Sequence, residues 1–156
     1  MKTKTIIIAL LMVLITGNCF SQNKLFDKFS EMEGVTSVFI SKSMLQMMPG
    51  MKIQNGMDIG DFAGKLSGIL ILTSENQSIA KMMRTETSHF NNNPAYEILM
   101  KVKDNESNVN FYVRKKSESL ISELVMLVDE PDEFVIIQMN GNMTMEDIQK
   151  LTKKMK

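Results

Sequence analysis

Across residues 98–139 the chain swings between apolar runs and short polar breaks, and that pattern leaves little freedom of topology. Ile98, Met100 and Val102 alternate with Leu99, Lys101 and Lys103. Val109, Phe111 and Val113 alternate in the same way with Asn110, Tyr112 and Arg114. A period of two sends successive side chains to opposite faces of a strand. Asp104-Asn105-Glu106-Ser107-Asn108 between the two runs is turn-rich, so they read as an antiparallel hairpin with one wetter face. Residues 120–128 and 134–139 follow, split by Asp129-Glu130-Pro131-Asp132. Their apolar side chains occupy both parities, Leu124, Met126 and Val128 together with Val125 and Leu127, which predicts central strands covered on both faces. Strands that return through short polar loops pair antiparallel.

The remaining pieces arrange themselves around this meander. Leu25, Phe26, Phe29 and Met32 have helical spacing, and Gly34 ends that helix. Residues 35–40 are β-branched and aromatic, a strand. Residues 43–48 form a short helix stopped by Pro49-Gly50, and residues 51–67, with Gly56, Gly60 and Gly64, read as a connection holding one turn around 61–66. Ile69-Leu70-Ile71-Leu72 is a continuous apolar run, a strand buried on both faces. Residues 78–90 form a helix with a solvated face, broken by Asn91-Asn92-Asn93-Pro94. Asn140-Gly141 closes the last strand, and Thr144 with Asp147 resembles a capping box before a final helix striped by Met145, Ile148, Leu151 and Met155. The fold class is α+β: a largely antiparallel sheet with a C-terminal four-strand meander, helices packed on it and a final C-terminal helix.

Residues 1–21 fall outside that domain. Lys2 and Lys4 precede an apolar run at residues 6–15, and small and polar residues follow, the order of a secretory signal peptide. The run is shorter than the roughly 20 apolar residues that span a bilayer. Cleavage after Ser21 leaves residues 22–156 as a single mature domain without cysteine. A lipoprotein cut would instead fall before Cys19 and leave its thiol for acylation; Asn18 before it disfavours that route. The expected location is therefore exported, periplasmic or associated with an outer membrane, with no transmembrane helix in the mature chain.

Composition narrows the chemistry. The 156 residues carry 18 basic and 18 acidic side chains, one His and one Cys. Zero net charge gives no electrostatic case for nucleic acid or an anionic membrane. One Cys and one His exclude an internal disulfide scaffold, a thiolate cluster and a multi-histidine zinc site. His89, at a helix end, is accounted for by the helix C-terminus. The acidic run at residues 129–133 lacks the ligand spacing of a calcium loop and reads as a solvated turn. No G-x-S-x-G, phosphate loop or H-E-x-x-H occurs.

Methionine is the unusual quantity: there are sixteen. Met44, Met47, Met48 and Met51 have M-x-x-M spacing, which lets soft thioether sulfurs converge on Cu(I). Against this stands ordinary packing, for which methionine is well suited and which Met82, Met83, Met100, Met126 and Met139 suggest throughout the chain.

With the leader, YEILMKVKDN…VNFYVRKK, SELVMLVDE and FVIIQMNGNMTMEDIQKL in view, the chain resembles the family called domain of unknown function 4252. These are small exported or lipid-anchored proteins of Bacteroides- and Flavobacterium-like bacteria. The resemblance carries no catalytic residues. It implies an envelope or signalling accessory role, since members often lie near regulators of the extracytoplasmic sigma-factor type. The sequence thus points first to a non-enzymatic exported module that binds a protein or envelope component, without a cofactor. Second comes a periplasmic Cu(I)-binding protein, and third an enzyme with a cryptic carboxylate site. An exposed apolar patch near residues 44–57 would favour the first.

Overall fold

A computed structural model of the chain describes residues 24–47, 52–53, 57–60 and 63–153. The expected leader, with Cys19, lies outside the described residues, as do Met48 and Met51. The elements run α1 (Lys24–Phe29), β1 (Thr36–Ser41), α2 (Lys42–Met47), β2 (Lys52–Ile53), β3 (Met57–Asp58), a 3-10 turn (Ala63–Lys65), and β4 (Leu66–Ser74). Then come α3 (Gln77–Thr87) with a 3-10 turn (Ser88–Asn91), β5 (Glu97–Lys103), β6 (Asn108–Lys115), β7 (Ile121–Asp129), β8 (Phe134–Met143) and α4 (Met145–Lys153).

Six strands form one sheet in the order β1-β4-β8-β7-β6-β5, every neighbouring pair antiparallel. The fold is α+β with the meander expected from residues 98–139, and β7 and β8 are central. The both-parity pattern has a simple cause: each face of the sheet has its own core. Leu124, Met126, Val128, Val135, Ile137 and Met139 face Leu45 of α2 and Ile148 and Leu151 of α4. Val125, Leu127, Phe134 and Ile136 face Leu25 and Phe29 of α1 and Ala80 and Met83 of α3. Each such side chain, fully buried, contributes about 1.5–3 kcal/mol of apolar transfer. Met83, Met126, Met139 and Met143 are among the buried residues, so much of the methionine is packing material.

The helices start where the chain supplies oxygen acceptors. Asn76 Oδ1 accepts from the backbone N–H groups of Ser78 and Ile79 at 3.0 and 3.2 Å, capping α3. Before α4 the capping box forms as expected: Thr144 N donates to Asp147 Oδ2 at 2.7 Å, and Asp147 N donates to Thr144 Oγ1 at 3.2 Å. The Asp147 carboxylate also takes the Lys65 ammonium at 2.8 Å, tying α4 to the turn before β4.

Two expectations need correction. Residues 51–67 include a small antiparallel ribbon, with Lys52 opposite Asp58 and Ile53 opposite Met57, where only a connection was expected. Strands this short carry no periodic signal. Asn140-Gly141 does not end the last strand, which runs on to Met143. Gly141 instead permits a close approach, since a Cβ there would lie 2.8 Å from Leu66 Cα. Among the described residues no helix is long and apolar enough to cross a membrane.

Candidate functional site

The most polar part of the core sits on the α3 side of the sheet, where β6 and β7 meet. Glu123 on β7 lies directly opposite Arg114 on β6, and Glu123 is only 2% exposed. Arg114 Nη2 meets Glu123 Oε2 at 2.7 Å, Tyr96 Oη donates to the same oxygen at 3.0 Å, and Gln138 Nε2 donates to Oε1. Tyr96 is delivered by the loop after α3, where Asn93 Oδ1 accepts from Ala95 N at 3.0 Å and Asn93 O accepts from Tyr96 N at 3.0 Å. Its ring meets Phe90 edge-on at 4.7 Å, and Phe90 in turn lies 5.5 Å from Tyr112.

Electrostatics follow from this packing. Burial pushes the Tyr96 phenol well above its ordinary range, and the Glu123 charge and hydrogen bond push it further. Burial also raises Tyr112, whose hydroxyl donates to Asn91 Oδ1 at 2.9 Å. The carboxylate of Glu123 is therefore engaged on both oxygens by a guanidinium, a phenol and an amide. Such a fully satisfied cluster orders the β6–β7–β8 register. No buried side-chain polar atom among the described residues lacks a partner.

A second polar feature is a cleft of about 260 Å³ lined by Lys42, Gly64, Lys65, Leu66, Ser67, Gly141 and Asn142. Its Lys65 is already committed to Asp147. The acidic run at residues 129–133 is the last residue of β7 and the turn that leads into β8. Asp129 takes Arg84 Nε at 2.7 Å, and Glu130 N donates to Glu133 O at 3.0 Å. His89 stands in the 3-10 turn after α3, its Nδ1 against the Glu86 carbonyl near the helix end.

The apolar surface lies elsewhere. Large apolar side chains exposed among the described residues are Val38, Phe39, Met44, Met47, Met82, Ile98 and Val102. Four of these seven fall on β1 and α2. Phe39 is 62% exposed and Met47 is 71% exposed, whereas Leu45 between the methionines points into the core. Strand pairing puts Val38 opposite Ile71 on the α2 side and Phe39 opposite Leu70 on the other. Helix α2 packs on β1 and β4, so the patch wraps one edge of the sheet. Of the four methionines that the alternative copper reading would bring together, Met44 and Met47 are presented to solvent on one helical turn; Met48 and Met51 lie outside the described residues.

Comparison with known proteins gives one decisive match: the model of the family DUF4252, domain of unknown function, covers residues 29–151. The chain belongs to that family. In this DUF4252 domain the match spans everything from the end of α1 to Leu151 of α4. No curated protein matches. Among solved structures, a similar one is "Protein of Unknown Function PA94 from Pseudomonas aeruginosa, Putative Regulator". It shares 8% identity at a TM-score of 0.38, over 79% of this chain and 78% of that one.

Met44 and Met47 of the apolar patch are named by the sequence, whereas the Glu123 cluster and the β1 half of the patch, Val38 and Phe39, are not. A charged residue inside the apolar run at residues 121–128 was the available signal for the first, since the β6–β7 register places Arg114 opposite it. For the second, it was a strand without a single charge.

Proposed function

We propose that this DUF4252 domain is an exported, non-enzymatic binding module that receives a protein partner on its β1–α2 edge. The observation that carries the reading is the gathering of Val38, Phe39, Met44 and Met47 at one exposed edge. Exposed apolar side chains scattered singly are ordinary, whereas several grouped at one edge favour recognition. Methionine suits such a surface because its unbranched thioether adapts to different partners. The non-enzymatic part of the reading is supported by the Glu123 cluster, whose oxygens are all held by neighbouring side chains. Export rests on the leader-like order of residues 1–21.

The test is site-specific photocrosslinking in cells of the native host, with a photoreactive residue at Phe39 or Met47 and a control at Ser119 on an exposed loop. Discrete adducts from positions 39 and 47, absent from 119, are expected. Equal labelling at all three positions, or none at 39 and 47, refutes the proposed surface. Amino-terminal sequencing of the chain recovered from the envelope checks export: Gln22 as the first residue supports cleavage after Ser21, and acylated Cys19 supports a lipid anchor.

A further inference from the structure

We propose that the partner received on this edge is a second copy of the chain, the two β1 strands pairing antiparallel about a two-fold axis at Phe39. The proposal rests on the reading of β1–α2 as the recognition edge and adds the identity and register of the occupant.

Three observations lead to it. First, the two edges of the sheet differ in how they are protected. On β5, Lys101 and Lys103 stand on the strand, Glu97 pairs with Lys115 at 2.7 Å, and the register shifts between Ile98 and Met100. Charges and bulges of this kind discourage pairing with another chain. The strand β1, Thr-Ser-Val-Phe-Ile-Ser, carries no charge and no proline, and it pairs with β4 through six residues without a shift. Among the described residues no strand lies on its outer side. With no described strand beyond it, the outer side of β1 offers a template to a further strand.

Second, residues 37–41 read nearly the same in both directions: Ser37, Val38, Phe39, Ile40, Ser41. In an antiparallel pair centred on Phe39, serine faces serine, Val38 faces Ile40, and phenylalanine faces phenylalanine. Directly opposed residues point to the same face, and each of these pairs obeys that rule. Val38 and Ile40 share the α2 side with their partners Ile71 and Ile69, and Phe39 lies on the other side. An isologous interface demands this kind of self-complementarity. The Phe39 ring lies beside Gly68, where a Cβ would stand 3.4 Å from its Cε2, and it is otherwise largely exposed.

Third, the charges flanking the strand suit this arrangement. Lys42 follows β1 directly, and Glu31 and Glu33 precede it, all three exposed. Antiparallel pairing directs the lysine of each copy toward the acidic end of the other. An uncharged strand brings no like charge to the two-fold axis.

The experiment uses purified residues 22–156, which contain every described element. Sedimentation velocity from ~5 to ~500 μM, the range in which a small interface associates, is run on wild type, Phe39→Lys and, as a control on the opposite edge, Ile98→Lys. The expected result is a reversible dimer, weakened at least tenfold by Phe39→Lys and unchanged by Ile98→Lys. Register is read with single cysteines under mild oxidation. Phe39→Cys meets its own copy directly and crosslinks at least tenfold faster than Ser37→Cys, whose two copies stand about 14 Å apart in this pairing, too far for a disulfide. A monomer throughout the range, a dimer indifferent to Phe39→Lys, or equal crosslinking of the two cysteine variants overturns the proposal. If the protein is monomeric while Phe39 still photocrosslinks to a different protein in cells, the recognition edge stands and only the second copy is refuted. If Phe39 gives no adduct either, both readings fall.

Discussion

Replacing Gly141 by alanine should cost about 2–3 kcal/mol, and the estimate follows from backbone geometry alone. A Cβ at position 141 would stand 2.8 Å from Leu66 Cα, with the Lys65 carbonyl oxygen closer still. Carbon atoms pack best at about 3.5–4.0 Å, so β8 and the start of β4 would have to move apart. Neither obstacle is the end of a flexible side chain; both belong to backbone where Leu66 pairs with Gly141. Overpacking of this kind costs about 1–3 kcal/mol. Each ladder hydrogen bond lost as the strands separate adds about 0.5–1.5 kcal/mol. Alanine returns about 0.4–1 kcal/mol by restricting the unfolded chain. Gly64 is the internal control: nothing lies within 4 Å of its Cβ position, and its φ is outside the left-handed region. Gly64→Ala should therefore stabilise by about 0.4–1 kcal/mol. Urea unfolding with unchanged m-values measures both, and the Gly141 variant should melt roughly 6–12 °C below wild type. A Gly141→Ala protein as stable as wild type would show that the backbones separate freely and would refute the close-packing argument.

Two further outcomes concern protonation. The chain has two tyrosines and no tryptophan, and both phenols are raised, Tyr96 by burial, the Glu123 charge and its hydrogen bond, and Tyr112 by burial. Stability from these groups is complete below the unfolded value of about 10 and declines as pH rises above it. Ultraviolet titration should show less than half of the tyrosinate signal at that pH while the sheet is folded; half-ionisation of native protein near pH 10 would refute the burial. Burial alone would raise the Asp147 carboxyl, but hydrogen bonds from Lys65, Thr144 N and Thr144 Oγ1 outweigh it and hold the carboxyl low. Its stabilisation is present above the ordinary value of about 4 and is lost as pH falls through the lower native one. Asp147→Asn should lose about 1–2 kcal/mol at neutral pH in denaturant unfolding. That gap should close under acid conditions, and one that persists below pH ~3 would argue against the charge as its source.

The elements differed in how readily they could be read. The meander was legible because period-two alternation and polar loops are local properties, and central strands betray themselves by apolar residues on both parities. Thr144 and Asp147 were legible for the same reason, since a capping box spans only four positions. The β2–β3 ribbon escaped because strands of two residues carry no period. The Glu123 cluster escaped because its members come from four separate segments: the loop before β5, and strands β6, β7 and β8. Met44 and Met47 could be named from sequence, but their outward direction depends on which side of α2 the sheet occupies.

The sequence by itself determined the α+β class, the antiparallel meander, the capped final helix and the family, because each is encoded within a single stretch of chain. Only the tertiary structure decided that β1 is an edge strand. That outcome depends on β4 pairing with β8 as well as with β1, a choice made between segments sixty or more residues apart. It is this long-range pairing that leaves Val38 and Phe39 at the rim, where a β-branched and aromatic strand becomes a surface.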